Sequence, residues 1–359
     1  MALELDDDFL GAPALPAVIP IPILATVIGA VEDSPLLIAS KKAELPGVTE
    51  ELLGTIYGGA IPEAYTVAEF VAQAIVYVET LIERDGSCVL RDWPSWLYHS
   101  LPFISSTLLK GYAELPSTTR IPFVPGDDAN MGSGIHAYTL LGKKGLDEEC
   151  FFLPETCGGK GKAALAQREI YAARYPNKNL LPPFYGTEKI PAMEVILGVD
   201  REFRAHPKTS LILANSEKEL SLVWVDADSG CTCKARLDIW DATEHIIWDI
   251  KKCRAIDAFP WQIKELFYGV QSGHYFNGAV ACGLGPVAFG FLPCEAFPPY
   301  QVGCGYRDPD KLMEDSNEAI RLIGLVKESQ ITGKWPNFRP PGHIYSWADL
   351  KPDDTVNVY

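Results

Sequence analysis

The sequence predicts an α/β protein: a mixed central sheet flanked by helices, preceded by an N-terminal appendage. Three observations predict it. Hydrophobic residues make up 47% of the 359 residues and charged residues 22%, ordinary globular usage that excludes a wholly disordered chain. A chain of that length buries a substantial core, as one large domain or as one domain with a smaller attachment. From Trp93 onward, stretches with the two-residue period of strands alternate with stretches at helical spacing, and no internal repeat is evident.

Helical spacing covers Ile104 to Tyr112, Ala129 to Leu141, Trp261 to Cys282 as one long helix, and Asp308 to Glu328. Strand patterns cover Leu220 to Asp226, Cys231 to Trp240, His245 to Lys251, Val287 to Glu295 and Tyr300 to Gly305. Residues 1–90 form the appendage. It opens on Asp6, Asp7 and Asp8 and continues as an apolar run from Ala12 to Val31 that holds Pro13, Pro16, Pro20 and Pro22. A signal peptide wants a positive leading region, and four prolines break a spanning helix, so this run reads as an extended docking strip and no membrane is implied. Thr66 followed by Glu69 then makes a capping box for an amphipathic helix ending near Asp85-Gly86. The main domain spans residues 91–347, and residues 348–359 form a tail.

Nine cysteines, an odd number with no C-x-x-C pair, read as free thiols of a reducing cytoplasm. The net charge of −16 argues against a nucleic-acid partner, because phosphate binding is driven by lysine and arginine. A bound metal and a cleft lined with basic groups reconcile the two, so any basic surface should be local.

The stretch that carries chemistry is a hairpin. In its second strand the two-residue period places Asp249 and Lys251 on one face, with Ile246, Trp248 and Ile250 on the other. In the first strand Lys234, Arg236 and Asp238 share a face, so pairing brings Asp238 towards Asp249. Two carboxylates and a backbone carbonyl, that of Ile250, suit a hard cation such as Mg²⁺, with Mn²⁺ as substitute. Phosphodiester hydrolysis needs this equipment: the cation activates water, and Lys251 orients or deprotonates that water or neutralises charge in the transition state. An ordinary Asp–Lys pair on a surface hairpin is the competing reading of the same residues.

Other stretches lie around the hairpin. Tyr98-His99 precedes Ile104-Ser105-Ser106-Thr107-Leu108, where the hydroxyls of Ser105 and Ser106 either cap a helix or, with Lys110, receive an anion. Further on come the segment Met131-Gly132 to His136, the strand Glu219-Leu-Ser-Leu-Val-Trp224, and Tyr268-Gly-Val-Gln271-Ser-Gly-His-Tyr275, whose Gln271 and Tyr275 share a helix face. In this order, from Tyr98 to Trp347, the chain resembles the RecE family, the C-terminal nuclease of exodeoxyribonuclease VIII and related phage exonucleases of the PD-(D/E)XK, restriction-endonuclease-like superfamily. The resemblance implies that His136 joins Asp238, Asp249 and the Ile250 carbonyl as a metal ligand, with Glu219 near a second metal position or the attacking water. It makes Gln271 a partner of Lys251 or the scissile phosphate, and Ser105, Ser106, Lys110, Lys234, Arg236 and Tyr275 candidate contacts to DNA or a 5′-phosphate. Two departures stand out: Leu237 replaces the proline of the family's Pro-Asp, and Lys252-Cys253 replaces two threonines.

The resemblance further implies a Mg²⁺-dependent exonuclease that resects linear double-stranded DNA from its 5′ ends. It would act as a homo-oligomeric ring, a tetramer by resemblance, and leave 3′ tails for an annealing partner of the RecT type. A PD-(D/E)XK endonuclease and a catalytically silent DNA-binding or assembly protein are the alternatives. A relative of iron–sulfur nucleases is disfavoured, since only Cys294 and Cys304 lie late in the chain.

Overall fold

The computed structural model describes residue 45 and residues 47–337, apart from 63, 64, 122, 123 and 160. The acidic start, the proline strip and the C-terminal tail lie outside the described residues. In chain order the helices are α1 (Glu50–Ile56), α2 (Val67–Asp85), α3 (Ser95–Ser100), α4 (Ser106–Glu114), α5 (Asp127–Glu149), α6 (Lys162–Arg174), α7 (Ala192–Ala205), α8 (Pro207–Asn215), α9 (Phe259–Glu265), α10 (Tyr268–Ala281) and α11 (Pro309–Thr332). The main sheet uses β1 (Ser87–Leu90), β2 (Ile104–Ser105), β7 (Glu217–Val225), β8 (Thr232–Asp241), β9 (Ile246–Cys253), β10 (Ala288–Glu295) and β11 (Gly305–Tyr306). Four short strands, β3 (Cys150–Phe152), β4 (Asn179–Leu181), β5 (Phe184–Tyr185) and β6 (Ile190–Pro191), pair two by two outside it.

The fold is the expected mixed α/β one, a mostly antiparallel sheet flanked by helices. Strand order is β1-β7-β8-β9-β10-β11, with β2 alongside β8. Within this sheet only the β9–β10 and β2–β8 ladders are parallel among the described residues. The central strands are hydrophobic almost throughout because both faces are covered. One core packs Leu222, Leu237, Ile247 and Phe289 against α4, α10 and α11, and the other packs Ile239, Trp248 and Leu292 against α5 and α7.

Helix α2 begins as the sequence predicts, with the Thr66 and Glu69 capping box formed and Gly86 closing it in the left-handed conformation. Its buried face joins Trp93, Leu97 and Val223 in a third core. Strand β1, assigned to the appendage from sequence, pairs antiparallel with β7 as an edge strand of the main sheet. The boundary at residue 90 therefore cuts through one hydrogen-bonded unit, and the described part of the appendage is built onto the domain.

Three further expectations are corrected. The long helix over Trp261 to Cys282 is two helices, α9 and α10, divided at Phe267, whose φ of 52° is left-handed and cannot continue a helix. The strand over Tyr300 to Gly305 reduces to one bridge at Val302 and the pair Gly305–Tyr306. The helix assigned to Ile104 starts at Ser106, because Ile104 and Ser105 pair with Cys233 and Lys234 of β8.

Helices α10 and α11 cross so closely that a Cβ on Gly273 would lie 2.2 Å from the Asp315 carbonyl, whereas one on Gly324 would meet nothing within 4 Å. Gly273→Ala is therefore expected to cost about 3 kcal/mol through overpacking. Gly324→Ala should stabilise by up to about 1 kcal/mol through helix propensity. Urea melts of the two variants check the opposite signs.

Candidate active site

The site forms where two strands part company. The antiparallel ladder between β8 and β9 ends at Ile239 and Trp248. Beyond it, residues 233 and 234 of β8 pair with β2 instead. Asp238 occupies the fork. Its Oδ2 accepts a hydrogen bond of 2.8 Å from the Ile250 N–H, so a side chain takes over where backbone pairing stops. On the other edge of β8, the β7 ladder skips one pair, Glu219 opposite Asp238, and resumes on both sides. Glu219 adopts a left-handed φ of 58°, unusual for a residue with a Cβ. Glu219 and Asp238 both meet His136, and Asp249, next after the last residue of β9 paired with β8, is near enough for the Asp238 charge to act on it.

Helices bring the remaining groups from both faces. From α5, His136 reaches in with Nε2 3.0 Å from Asp238 Oδ1 and 3.3 Å from Glu219 Oε1. Burial alone would lower the affinity of this imidazole for a proton, but Asp238 and Glu219 override it and push its pKa up to about 10. His136 is consequently an imidazolium. Asp238 is also deeply buried, which opposes ionisation; the His136 charge, Lys251 and the Ile250 N–H still hold its carboxyl below the usual carboxylate range. From α10, Gln271 Nε2 donates to Asp249 Oδ1 at 2.9 Å, while Asp249 Oδ2 forms an ion pair with Lys251. Asp249 is 0% exposed, and burial raises its carboxyl pKa. Lys251, its side chain 14% exposed, has its pKa raised by Asp249 and Asp238 against the desolvation that would lower it, so it remains an ammonium. From α4, Lys110 Nζ donates to Gln271 Oε1 at 3.1 Å.

The structure therefore brings His136, Glu219, Asp238, Asp249, Lys251, Gln271 and Lys110 into one connected network. Several other sequence candidates have different partners. Lys234 donates to the carbonyls of Tyr98, His99 and Leu101, which use all three of its N–H bonds. It holds the 98–101 turn against β8 and has no donor left for DNA, correcting its assignment as a DNA contact. Arg236 spends Nε on Glu219 and Nη1 on Ser221 Oγ and the Trp93 carbonyl. Ser105 caps α4 through the Leu108 N–H, and buried Ser106 hydrogen-bonds the buried Tyr275, so these three residues serve packing here. Lys252, at one of the departures from the family pattern, pairs with Asp128 at 2.6 Å.

Two groups at the site escaped the sequence reading. Glu149 ends α5, and an unbroken helix would hold it about 20 Å from His136 at about 1.5 Å per residue. The helix is broken at Gly142, where φ is 65°, and Glu149 comes close enough for its charge to act on both His136 and Glu219. Burial, then Glu219, raise its carboxyl pKa. The second group is Tyr268, whose ring centroid lies 5.0 Å from Lys251 Nζ and 5.3 Å from Lys110 Nζ.

Carboxylates and an imidazole are donor types that a divalent cation accepts, and His136 contacts both Glu219 and Asp238 at the fork. Its Nε2 lies between Asp238 Oδ1 and Glu219 Oε1 and bridges the two carboxylates. Among the described residues no three acidic, histidine or cysteine side chains converge as a ready-made metal cage.

The sequence matches no family model and no curated protein. Among solved structures, a "putative exonuclease" from Eubacterium rectale is similar at 10% identity and a TM-score of 0.47, over 70% of this chain and 93% of that one. The protein SSO0001 is similar at 13% identity and a TM-score of 0.26, over 65% of this chain and 88% of its own. No helix among the described residues is long and apolar enough to cross a membrane.

The network sets two expected outcomes. Lys234→Met should cost about 3 kcal/mol, because the Tyr98, His99 and Leu101 carbonyls lose their donor, and should leave the salt dependence of any DNA binding unchanged. Urea melts and titrations at two salt concentrations check both parts. The His136 pKa is raised above its ordinary 6.5, so its ion-pair stabilisation is complete below that pH and lost as pH rises through about 10. In chelator-treated protein the melting-temperature gap between the parent and His136→Ala should narrow steadily from pH 7 to pH 10.

Proposed function

We propose that this chain is a metal-dependent deoxyribonuclease that hydrolyses phosphodiesters of linear double-stranded DNA. The observation that carries the reading is the set of carboxylates Glu219, Asp238 and Asp249 on three neighbouring strands, with the Lys251 ammonium beside it. An isolated surface Asp–Lys pair would have no reason to be buried, to recruit Gln271 from a helix, or to share charge with a second carboxylate.

His136, Glu219, Asp238, Asp249 and the Ile250 carbonyl would hold Mg²⁺, or Mn²⁺ in its place. The bound ion supplies Lewis-acid polarisation of the phosphoryl group and a water of lowered pKa. His136 Nε2 gives up its proton to become a donor, so metal affinity rises with pH. Lys251 stays charged in its carboxylate surroundings, which favours neutralising the developing phosphorane charge over accepting a proton from water. Gln271 fixes Asp249 on one side and Lys110 on the other, and so sets the spacing between acid and base groups. Lys110 adds a second positive charge on the side where a phosphate backbone would lie. Burial, then the nearby Lys251 charge, lower its pKa to about 8, so an incoming phosphate strengthens its protonation.

The finer reading rests on the family resemblance: digestion from 5′ ends, a ring of several copies, and 3′ tails handed to an annealing protein of the RecT type. Concentrating the basic groups inside such a ring would reconcile DNA binding with a net charge of −16.

With Mg²⁺, the purified chain should digest linear duplex DNA and spare closed circles, and chelation should stop it. Asp249→Asn and Lys251→Ala should each lower kcat by about a thousand-fold or more, on the scale of losing a preorganised charge-stabilising group. Intact linear DNA with the parent protein ends the nuclease reading. Cleavage of closed circles turns it into an endonuclease.

A further inference from the structure

We infer that Tyr268 is a positioning residue of this site: its ring holds the Lys251 and Lys110 ammonium groups in fixed places. The inference rests on the nuclease reading of the same site and deepens it.

The side chains form a closed circuit. Lys110 Nζ donates to Gln271 Oε1 at 3.1 Å, and Gln271 Nε2 donates to Asp249 Oδ1 at 2.9 Å. Asp249 pairs with Lys251 through its other oxygen. The circuit closes through Tyr268, with Lys251 Nζ 5.0 Å and Lys110 Nζ 5.3 Å from its ring centroid. The two ammonium groups repel each other, and the Lys251 charge accordingly makes Lys110 harder to protonate. The negative π-face of an aromatic ring is a neutral group able to attract both without competing for metal or phosphate.

The fold fixes the ring as firmly as it fixes the charges. Tyr268 packs 6.2 Å from Phe259 and 6.3 Å from Phe291, centroid to centroid, so α9 and β10 support it from outside the circuit. It is the first residue of α10, directly after Phe267 with its left-handed φ of 52°. That conformation is costly for a bulky residue and divides what periodicity predicts to be one helix. In a continuous helix Tyr268 would keep the direction set by the preceding turns; the break reorients it towards the two lysines.

The ring, and not the hydroxyl, does the positioning, so the test compares Tyr268→Phe, Tyr268→Leu and Tyr268→Met. The readout is kcat and KM on linear duplex DNA with Mg²⁺, alongside thermal melts. Tyr268→Phe should stay within about threefold of the parent in kcat. Tyr268→Leu and Tyr268→Met should lose about thirty-fold in kcat, the factor expected from a desolvated cation–π contact, with KM little changed. Methionine matches the volume of the lost ring more flexibly than leucine, so it serves if the leucine variant does not fold. Either kcat within threefold of the parent in a folded non-aromatic variant, or an equal loss in Tyr268→Phe, overturns the inference. Should neither non-aromatic variant fold, the ring serves the fold rather than the placement of the two lysines, and the inference is overturned. A parent protein inert on DNA would instead remove the underlying nuclease reading and leave the circuit's geometry as it is.

Discussion

The hydrogen bond from the Ile250 N–H to the Asp238 carboxylate is the constraint on which the site depends. Two paired strands that diverge inside a protein expose backbone donors and acceptors, and leaving these unmet costs more than most single interactions contribute. Here the divergence is closed by a carboxylate. The same residue that seals the fork lies beside Glu219 and Asp249, so the sheet cannot drop its acidic centre without reopening its own seam. Structure and candidate chemistry share one side chain.

Around that seam the protein keeps charges that would ordinarily be excluded from an interior. Asp238, Asp249, Glu219 and Lys234 are all buried, and each is paired or saturated by hydrogen bonds. Such pairs contribute little net stability, because desolvation offsets their attraction, while breaking one strands its partner. Their value lies in geometry. A connected set of opposite charges around a seam has one low-energy arrangement, and a cation or phosphate entering it meets groups whose positions are already decided.

How much was legible in the sequence depends on the range of the forces involved. Asp238, Asp249 and Lys251 could be placed because a two-residue period and a short turn determine which side chains meet. Gln271 was named through the family resemblance, and its partners, Asp249 and Lys110, come from elements that helical spacing does not relate to it. The division at Phe267 was not legible: helical spacing runs through it, and only packing of Tyr268 between Phe259, Phe291 and two lysines selects the left-handed backbone. Glu149 was hidden for a similar reason, since its approach needs the chain to turn at Gly142. Lys234 and Arg236 were put on the correct face with the wrong partners. The main-chain carbonyls of Trp93 and residues 98–101 that engage them come from a segment with no strong periodicity of its own. Between residues 150 and 191 the strands are two or three residues long and α6 buries little besides Ala164, so no period stands out; α7 beyond them, with Val195, Ile196, Val199 and Phe203 buried at helical spacing, was legible and went unread.

Glu219 occupies a backbone shape that glycine adopts freely and glutamate resists. Glycine there would relax the main chain but leave Arg236 and His136 facing an interior without their shared carboxylate. The awkward backbone at this one position is therefore held in place by the charges on either side of it, and loosening either neighbour would let the strand straighten.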